Sequence, residues 1–277
     1  MNESAPNKRI IGRDEAAALM EPLTDLVVRA GQAILGVNRR TMTVQGKDDG
    51  SPVTEADLAA DSVIADGLAR IAPGVPSLSE ERVQGAKPPF RGSFFLVDPL
   101  DGTREFVAGR SEYTVNVALV TDGMPVLGII GAPAFGWLWR GLVGRDAERL
   151  ELTDAGVGAP EPIHTRRAPA RGEPWIAAVS RSHGDGKTEA FIDARPGAVR
   201  VTLGSSVKFG RLAEGAADIY PRLGPTSEWD VAAGCAVVTA AGGKVTDANG
   251  RPLRFGERTD GFIMPAFIAW GDPSAAP

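Results

Sequence analysis

The stretch FFLVDPLDGTREF, residues 94–106, begins as an apolar run and ends in a turn that contains two carboxylates. The run FFLVD (94–98) predicts a short buried strand. A proline and an Asp-Gly pair follow, and an ordinary turn explains both without any chemistry. The same turn brings Asp98 and Asp101 toward each other as oxygen ligands, with the carbonyl of Leu100 between them. The rest of the chain has to decide between these interpretations.

Helical and strand-like patterns are mixed along the 277 residues. Apolar residues at helical spacing predict helices over 14–35, from 55 to the Ala-Pro-Gly at 72–74, over 205–215 and over 229–243. Strands are predicted over 94–98, 113–120, 125–133, 134–144, 175–180 and 198–204, with a hairpin turn at TDGM. Mixed short strands and helices predict an α/β or α+β fold built in layers.

The segment 148–174 is rich in proline, glycine and charge, which is typical of a connection between folded units. We therefore expect an α+β metal-binding unit over residues 1–150. An α/β unit over residues 151–277 is expected to complete the active site.

Composition excludes several classes of function. The net charge of −5, without a long Lys/Arg run, argues against a nucleic acid polymer, although a small phosphorylated ligand needs only local positive charge. Two histidines and one cysteine are too few for a His-rich zinc site or a Cys-His nucleophile. A single cysteine, an N-terminus without a signal-peptide pattern and the lack of 18 consecutive apolar residues together predict a cytoplasmic protein.

Further acidic residues lie where predicted elements begin or end. Thr54 and Asp57 form the pattern of a helix capping box. Asp230 lies in the first turn of a predicted helix, where the positive end of the helix dipole stabilises a carboxylate. Glu80 and Glu81 follow the strand-like GVPSLS and are explained equally well as solvated charge. Each has an ordinary structural explanation, and only their combination points to chemistry.

A set of candidate ligands made of carboxylates, without histidine or cysteine, indicates that the bound metal ion is a hard cation. Such oxygen ligands select Mg²⁺ over zinc, and Mg²⁺ completes its shell with water and substrate phosphate. Phosphate also binds at helix N-termini, which are predicted at Gly102-Thr103, Gly204-Ser205-Ser206 and Trp229-Asp230. This combination is suited to metal-assisted phosphoryl transfer.

Other phosphate and nucleophile motifs fail on spacing. GDGKT (184–188) lacks the first glycine of a P-loop, where Arg181 stands. The aspartyl-phosphate pattern D-x-D-x-T needs its acids two residues apart, and here they are three apart. The esterase pattern G-x-S-x-G does not occur.

Four motifs, in this order, resemble signatures of the inositol monophosphatase superfamily: TEAD (54–57), EE (80–81), DPLDGT (98–103) and WDVAAG (229–234). Within it, VSRSHGD (179–185) and LGSSVKFGRLAEGAADIYPRLGPT (203–226) are similar to bacterial 3′(2′),5′-bisphosphate nucleotidases. Those enzymes cleave adenosine 3′,5′-bisphosphate, a by-product of sulfate assimilation, to AMP and phosphate. The resemblance implies a layered α-β-α-β-α fold with the site between the two units.

The resemblance also implies a metal site. It assigns Glu80, Asp98 and the Leu100 carbonyl to one Mg²⁺, and Asp98, Asp101 and Asp230 to a second. A third and weaker Mg²⁺ is implied near Glu80, and so is inhibition by Li⁺. Asp57 and Thr103 would orient and deprotonate the attacking water. The backbone N–H groups of Gly102 and Thr103 would bind the scissile phosphate.

Substrate preference is predicted from the segment before WDVAAG. Inositol-selective members of the superfamily place a glutamate there, whereas this chain has Arg222. Arginine only donates hydrogen bonds and binds phosphate bidentately, so it favours a second phosphate over a neutral polyol. Lys208 is expected to contribute to that pocket; a surface arginine and a lysine lying along apolar surface are the ordinary alternatives. The remaining expected substrate contacts are Gly204, Ser205, Ser206, Ser182 and His183.

Two other classes of function stay open at this point. Inositol monophosphatase, fructose-1,6-bisphosphatase and histidinol-phosphatase share the metal site of the superfamily. A non-catalytic nucleotide or metal sensor would not need Thr103. We expect a small phosphorylated nucleotide as ligand, no transmembrane segment and a monomer or homodimer. Some relatives suggest a peripheral position at the cytoplasmic face of the inner membrane.

Overall fold

A computed structural model describes residues 9–46, 52–86, 88–182, 184–258 and 261–277. The predicted substrate contact His183 lies outside these ranges. Within them, no helix is both long and apolar enough to cross a bilayer.

The described residues contain seven α-helices. They are α1 (Arg13–Ala18), α2 (Met20–Gly36), α3 (Glu55–Ile71), α4 (Thr103–Val107), α5 (Gly186–Asp193), α6 (Val207–Ala213) and α7 (Glu228–Ala240). The helix predicted over 14–35 is interrupted at Leu19, because Pro22 has no N–H to donate to the carbonyl of Ala18. The short helices α4 and α5 were not predicted from the sequence, since neither has a long apolar repeat.

The strands of the described residues form two large sheets and a small hairpin. They are β1 (Val44–Gly46), β2 (Pro52–Thr54), β3 (Ser77–Ser79), β4 (Ser93–Asp101), β5 (Thr114–Thr121), β6 (Met124–Ala132), β7 (Trp137–Leu142), β8 (Ala147–Thr153), β9 (Gly156–Val157), β10 (Glu161–Ile163), β11 (Ile176–Ser180), β12 (Val199–Leu203), β13 (Ile219–Arg222), β14 (Lys244–Asp247) and β15 (Phe267–Trp270). The predicted hairpin is β5 and β6, which pair antiparallel.

The first sheet has the order β10-β8-β7-β6-β5-β4-β3, with β9 paired to β8. It is antiparallel except for the pair β3 and β4. The second sheet has the order β12-β11-β13-β15-β14 and contains both parallel and antiparallel pairs. β1 and β2 form the separate hairpin before α3.

The helices and sheets alternate in layers. α1, α2 and α3 cover one face of the first sheet, α6 and α7 lie between the two sheets, and α5 covers the outer face of the second. Phe94 and Leu96 of β4 therefore enter one core, while Phe95 and Val97 enter the other. A strand buried on both faces needs an unbroken apolar run, which explains the sequence FFLV. The predicted layered α-β-α-β-α fold is confirmed.

The segment 148–174 was predicted to be a connection without regular structure, and this prediction was wrong. It contains most of β8 together with β9 and β10, which belong to the first sheet. Leu150 is buried between exposed or half-buried charged neighbours, so the alternating pattern outweighs the polar composition. The change from one sheet to the other comes between Ile163 and Ile176, and β8 runs across residue 150. The division into two units at that residue stays a prediction.

Candidate active site

A bulge in β4 places the two aspartates of the DPLDGT motif. Asp98 lies opposite Asn116 of β5 and Asp101 lies opposite Thr114, so two residues of β4 face one residue of β5. The strand thus continues to Asp101 instead of ending at residue 98 as predicted. Gly102 follows with a φ of 94°, a left-handed conformation that glycine adopts without strain, and the chain then enters α4.

Three carboxylates from three different elements meet next to this bulge. Glu80 lies on a 3-10 turn (Glu80–Arg82) directly after β3, Asp98 lies on β4 and Asp230 lies in the first turn of α7. Each offers one oxygen, and these oxygens lie within 4.8 Å of one another. Glu81 lies on the same 3-10 turn and is not part of this cluster.

Asp230 is held in the cluster by the capping box of α7. Its Oδ2 accepts hydrogen bonds from the Thr226 hydroxyl at 2.6 Å and from the Ser227 N–H at 3.0 Å. Burial, together with the nearby charges of Asp101 and Glu80, raises the pKa of Asp230 to about 7. Crowded, partly buried carboxylate oxygens of this kind are the donor set that a divalent oxygen-seeking cation requires, so the residues fit Mg²⁺.

Asp101 lies beside the cluster of three. Its Oδ2 accepts hydrogen bonds from the Ser206 hydroxyl at 2.9 Å, the Asn116 amide at 3.3 Å and the Thr114 hydroxyl at 3.4 Å. Leu100 donates its N–H to Asp98 Oδ1 at 3.1 Å. The predicted ligands thus lie together, while their division between individual ions stays a prediction.

Asp57 caps α3 and is linked to the site through Thr103. Its Oδ2 accepts the N–H of Thr54 at 2.7 Å and the Thr54 hydroxyl at 2.6 Å, which completes the capping box of α3. Its Oδ1 accepts the Thr103 hydroxyl at 2.9 Å. The carbonyl of Leu100 lies 3.2 Å from the same hydroxyl as an alternative acceptor. Burial raises the pKa of Asp57, although these hydrogen bonds oppose the shift.

The loop Gly204–Ser206 connects β12 to α6 and joins the second sheet to the bulge. The Ser205 hydroxyl donates to the Asp101 carbonyl at 2.9 Å, and the Ser206 hydroxyl lies 3.1 Å from the Asp230 carbonyl. Lys208 is buried, and its ammonium group donates to the Ser205 carbonyl. Burial lowers the pKa of Lys208 to about 8. Lys208 therefore holds the loop itself as well as adding positive charge beside it.

Most of these groups surround one cavity of about 430 Å³. The predicted residues that line it are Glu80, Asp98, Leu100, Asp101, Gly102, Thr103, Ser182, Ser205, Ser206, Lys208, Arg222 and Asp230. Asp57 and Gly204 are not among the residues that line it. Arg222 is only 9% exposed, and it donates a hydrogen bond to the Pro225 carbonyl at 2.8 Å.

Glu105 and Asn116 are among the site residues that were not predicted from the sequence. Glu105 lines the cavity, is buried, and accepts a hydrogen bond from the Ser182 hydroxyl. Asn116 donates to Asp101 and, at 3.0 Å, to the Ser206 hydroxyl. Asn116 could have been found, because it is a polar residue inside the apolar strand YTVNVALV. The sequence around Glu105 offers no comparable signal, since its partner Ser182 comes from the other sheet.

Arg181, next to Ser182, also joins the two sheets. Its guanidinium binds both carboxylate oxygens of Glu112, at 2.8 and 2.9 Å. Arg181 and Ser182, which follow β11, thus bind Glu112 and Glu105. Both of these glutamates follow the bulge of β4 in the chain. These contacts fix the second sheet against the first at the cavity.

The chain is similar to known proteins over most of its length. The model of the inositol monophosphatase family matches residues 16–270. The chain is 40% identical to the 3′(2′),5′-bisphosphate nucleotidase CysQ of Escherichia coli (strain K12), over 90% of this chain and 98% of that protein. It is 35% identical to CysQ of Buchnera aphidicola, over 86% of this chain and 87% of that protein.

Solved structures resemble the fold over nearly the whole chain. CysQ from Bacteroides thetaiotaomicron has a TM-score of 0.75 and 32% identity, covering 93% of this chain and 97% of that one. The extragenic suppressor protein suhB from Bartonella henselae has a TM-score of 0.72 and 25% identity, covering 93% of this chain and 95% of that one.

Proposed function

Because the chain belongs to the inositol monophosphatase family, we propose that it is a Mg²⁺-dependent 3′(2′),5′-bisphosphate nucleotidase. It hydrolyses the 3′-phosphate of adenosine 3′,5′-bisphosphate and yields AMP and phosphate. The identity of 40% to the CysQ nucleotidase over 90% of the chain supports this function. The observation on which it rests is that one cavity contains a carboxylate cluster together with two buried cationic side chains, Lys208 and Arg222.

The metal site is formed by Glu80, Asp98 and Asp230, and the Leu100 carbonyl and Asp101 complete the set of oxygens for two to three ions. When bound, Mg²⁺ supplies positive charge that acidifies a water molecule and neutralises the phosphate oxygens. The protein contributes the rigid placement of these oxygens, because a strand bulge, a 3-10 turn and a capped helix each fix one of the three carboxylates.

Thr103 and Asp57 handle the proton of the attacking water. The Thr103 hydroxyl donates to Asp57, so its oxygen is oriented to accept a hydrogen bond from water in the cavity. Asp57 then receives a proton by way of Thr103, and its raised pKa makes it a stronger base than an exposed aspartate. The backbone N–H groups of Gly102 and Thr103 bind the phosphate that is cleaved.

Arg222 binds the phosphate that is not cleaved. Its planar guanidinium matches a phosphate bidentately, and it lines the same cavity as the carboxylates. Lys208 adds positive charge, and its hydrogen bond to Ser205 keeps the loop Gly204–Ser206 against the bulge. Ser182 and His183 are proposed as further contacts with the nucleotide.

A phosphate-release screen tests the proposal. The substrates are adenosine 3′,5′-bisphosphate, inositol 1-phosphate, fructose 1,6-bisphosphate and histidinol phosphate, each with Mg²⁺, and Asp98→Asn is the inactive control. We expect the highest kcat/KM for adenosine 3′,5′-bisphosphate. A higher value for any other ester would overturn the substrate assignment. Release from none of the four would indicate a sensor.

The setting of the enzyme is also proposed. A small phosphorylated nucleotide is the ligand, the protein acts as a monomer or homodimer, and the cytoplasm is its compartment. The peripheral position at the inner membrane has no support among the relatives or in the described residues, and it is not proposed.

A further inference from the structure

The segment GDGKT (184–188), which fails as a P-loop, forms the start of α5. Asp185 is the N-cap: its Oδ1 accepts the Thr188 N–H at 2.9 Å and its Oδ2 accepts the Thr188 hydroxyl at 2.6 Å. Neither residue lines the active-site cavity. Capping explains the first of these hydrogen bonds. The second fixes the direction of the Thr188 hydroxyl, which leaves its oxygen to accept a bond from elsewhere.

That further bond comes from the loop between β13 and α7. The Leu223 N–H donates to the Thr188 hydroxyl oxygen at 3.0 Å, and Thr188 is only 7% exposed. Gly224 lies against the same cap, since a Cβ at that position would lie 3.2 Å from Asp185 Oδ2. The start of α5 therefore binds the loop at Leu223 and lies close to it at Gly224.

The loop begins directly after Arg222. The guanidinium of Arg222 donates to Pro225 within the same loop, so a shift of the loop shifts Arg222 in the cavity. The positive charge of Arg222 also acts on Asp185, the N-cap of α5. Burial by itself would raise the pKa of Asp185, but the hydrogen bonds from Thr188 and Lys187 and the charge of Arg222 hold it below its usual value.

We propose that Asp185 and Thr188 are positioning residues for Arg222. The Thr188 hydroxyl ties the Leu223 N–H to the cap of α5 and thereby sets where the guanidinium lies in the cavity. The expected effect on substrate binding rests on the proposed function, in which Arg222 binds the uncleaved phosphate. The tether itself is a property of the fold and has a readout that needs no substrate.

The test compares Thr188→Val, which keeps the shape and loses the hydroxyl, with Thr188→Ser, which keeps the hydroxyl. The substrates are adenosine 3′,5′-bisphosphate and adenosine 3′-monophosphate, which lacks the uncleaved phosphate. Thr188→Val should raise KM for the bisphosphate about three- to tenfold, the size of one neutral hydrogen bond. Its kcat and its KM for the monophosphate should stay within about twofold, and Thr188→Ser should resemble the unmodified enzyme.

An equal rise in KM for both substrates would overturn the proposal, because it would show that Thr188 only supports the fold. In an Arg222→Met background, Thr188→Val should add no further rise in KM for the bisphosphate, since residues acting through one another are not additive. An independent additional rise would also overturn it. If Thr188→Val does not fold, Asp185→Asn takes its place in the same comparison.

Amide hydrogen exchange at Leu223 separates the tether from the substrate assignment. We expect faster exchange of the Leu223 N–H in Thr188→Val and unchanged exchange in Thr188→Ser. Unchanged protection of Leu223 in Thr188→Val would overturn the tether, whichever substrate the enzyme uses. Faster exchange in a protein that does not hydrolyse the bisphosphate would support the tether and refute the proposed function.

Discussion

The carboxylate cluster (Glu80, Asp98 and Asp230) and the two cationic side chains that we call the cationic wall (Lys208 and Arg222) lie in one cavity, yet their side chains are held in different ways. Regular structure places Glu80, Asp98 and Asp230: a 3-10 turn, a strand bulge and a helix cap. Lys208 of α6 and Arg222 of β13 also lie in regular elements, but their cationic groups are bound by loop carbonyls, and the loop after Arg222 is bound in turn by α5. In the proposed function, the cluster supplies chemistry common to phosphate esters, and the wall is expected to select among them.

Removal of metal should have the largest effect, because it disables the cluster for every substrate alike. We expect EDTA to abolish phosphate release and added Mg²⁺ to restore it, since the donor set is entirely oxygen. The measurement is phosphate release from adenosine 3′,5′-bisphosphate and adenosine 3′-monophosphate in parallel. Full activity in rigorously metal-free protein would refute a metal mechanism.

Single substitutions in the cluster, or at Asp101 beside it, should come next in size. Asp101→Asn and Asp230→Asn should each lower kcat by at least about a hundredfold, as when one preorganised electrostatic group is lost. The loss should be similar for both substrates, because neither residue belongs to the cationic wall. Asp25→Asn, on the exposed side of α2, is the matched control. Unchanged kcat in either variant would show that the carboxylate is structural.

The same contrast explains how much of the molecule could be predicted from its sequence. The motifs around Glu80, Asp98 and Asp230 are each tied to local backbone geometry, so short patterns point to them. The layered fold follows from apolar runs such as FFLV, which need two covered faces. Contacts that join residues far apart in the chain leave no local pattern.

Thr188 and Leu223 illustrate the part that could not be predicted. They are 35 residues apart, and their hydrogen bond exists only because α5 packs beside β13. Glu105 and Ser182, 77 residues apart, meet in the same way across the two sheets. The polar composition of residues 148–174 also led to a wrong prediction, because β8 is formed there. The alternation of buried Leu150 with more exposed neighbours was the better indicator of a strand.

Arg222→Glu should affect the two substrates unequally. The variant loses a charge-assisted contact worth about 1.5–3 kcal/mol and gains a repulsion. We expect kcat/KM for adenosine 3′,5′-bisphosphate to fall about ten- to a few hundredfold. For adenosine 3′-monophosphate the fall should be several times smaller. Arg222→Met, which lacks both charges, should lie between the native enzyme and Arg222→Glu for the bisphosphate.

An equal loss for both substrates in Arg222→Glu would contradict the division between cluster and wall. It would show that Arg222 supports the loop before α7, and with it the hydrogen bond from Thr226 to Asp230. The choice of a bisphosphate nucleotide would then rest on the similarity to CysQ alone.

The smallest expected effect is on the stability of the metal-free protein. The folded-state pKa of Asp230 is raised to about 7 from an ordinary value of 3.8, so the folded protein binds more protons than the unfolded chain between these values. Stability contributed by this group is therefore present below about pH 4 and is lost as pH rises toward 7. Asp230→Asn removes this loss. In EDTA at pH 8 it should be more stable than the native protein by about 1–2 kcal/mol, or a few degrees in Tm.

Thermal unfolding in EDTA from pH 5 to 8 measures this difference directly. The advantage of Asp230→Asn should grow with pH, because carboxylate repulsion in the native protein grows as Asp230 ionises beside Asp101 and Glu80. Mg²⁺ should reverse the order, since the native cluster binds the cation more tightly and gains more stability from it. The exposed variant Asp25→Asn should follow the native protein throughout. A pH-independent difference between Asp230→Asn and the native protein would mean that the cap of α7, rather than crowded charge, determines the stability of this end of the cavity.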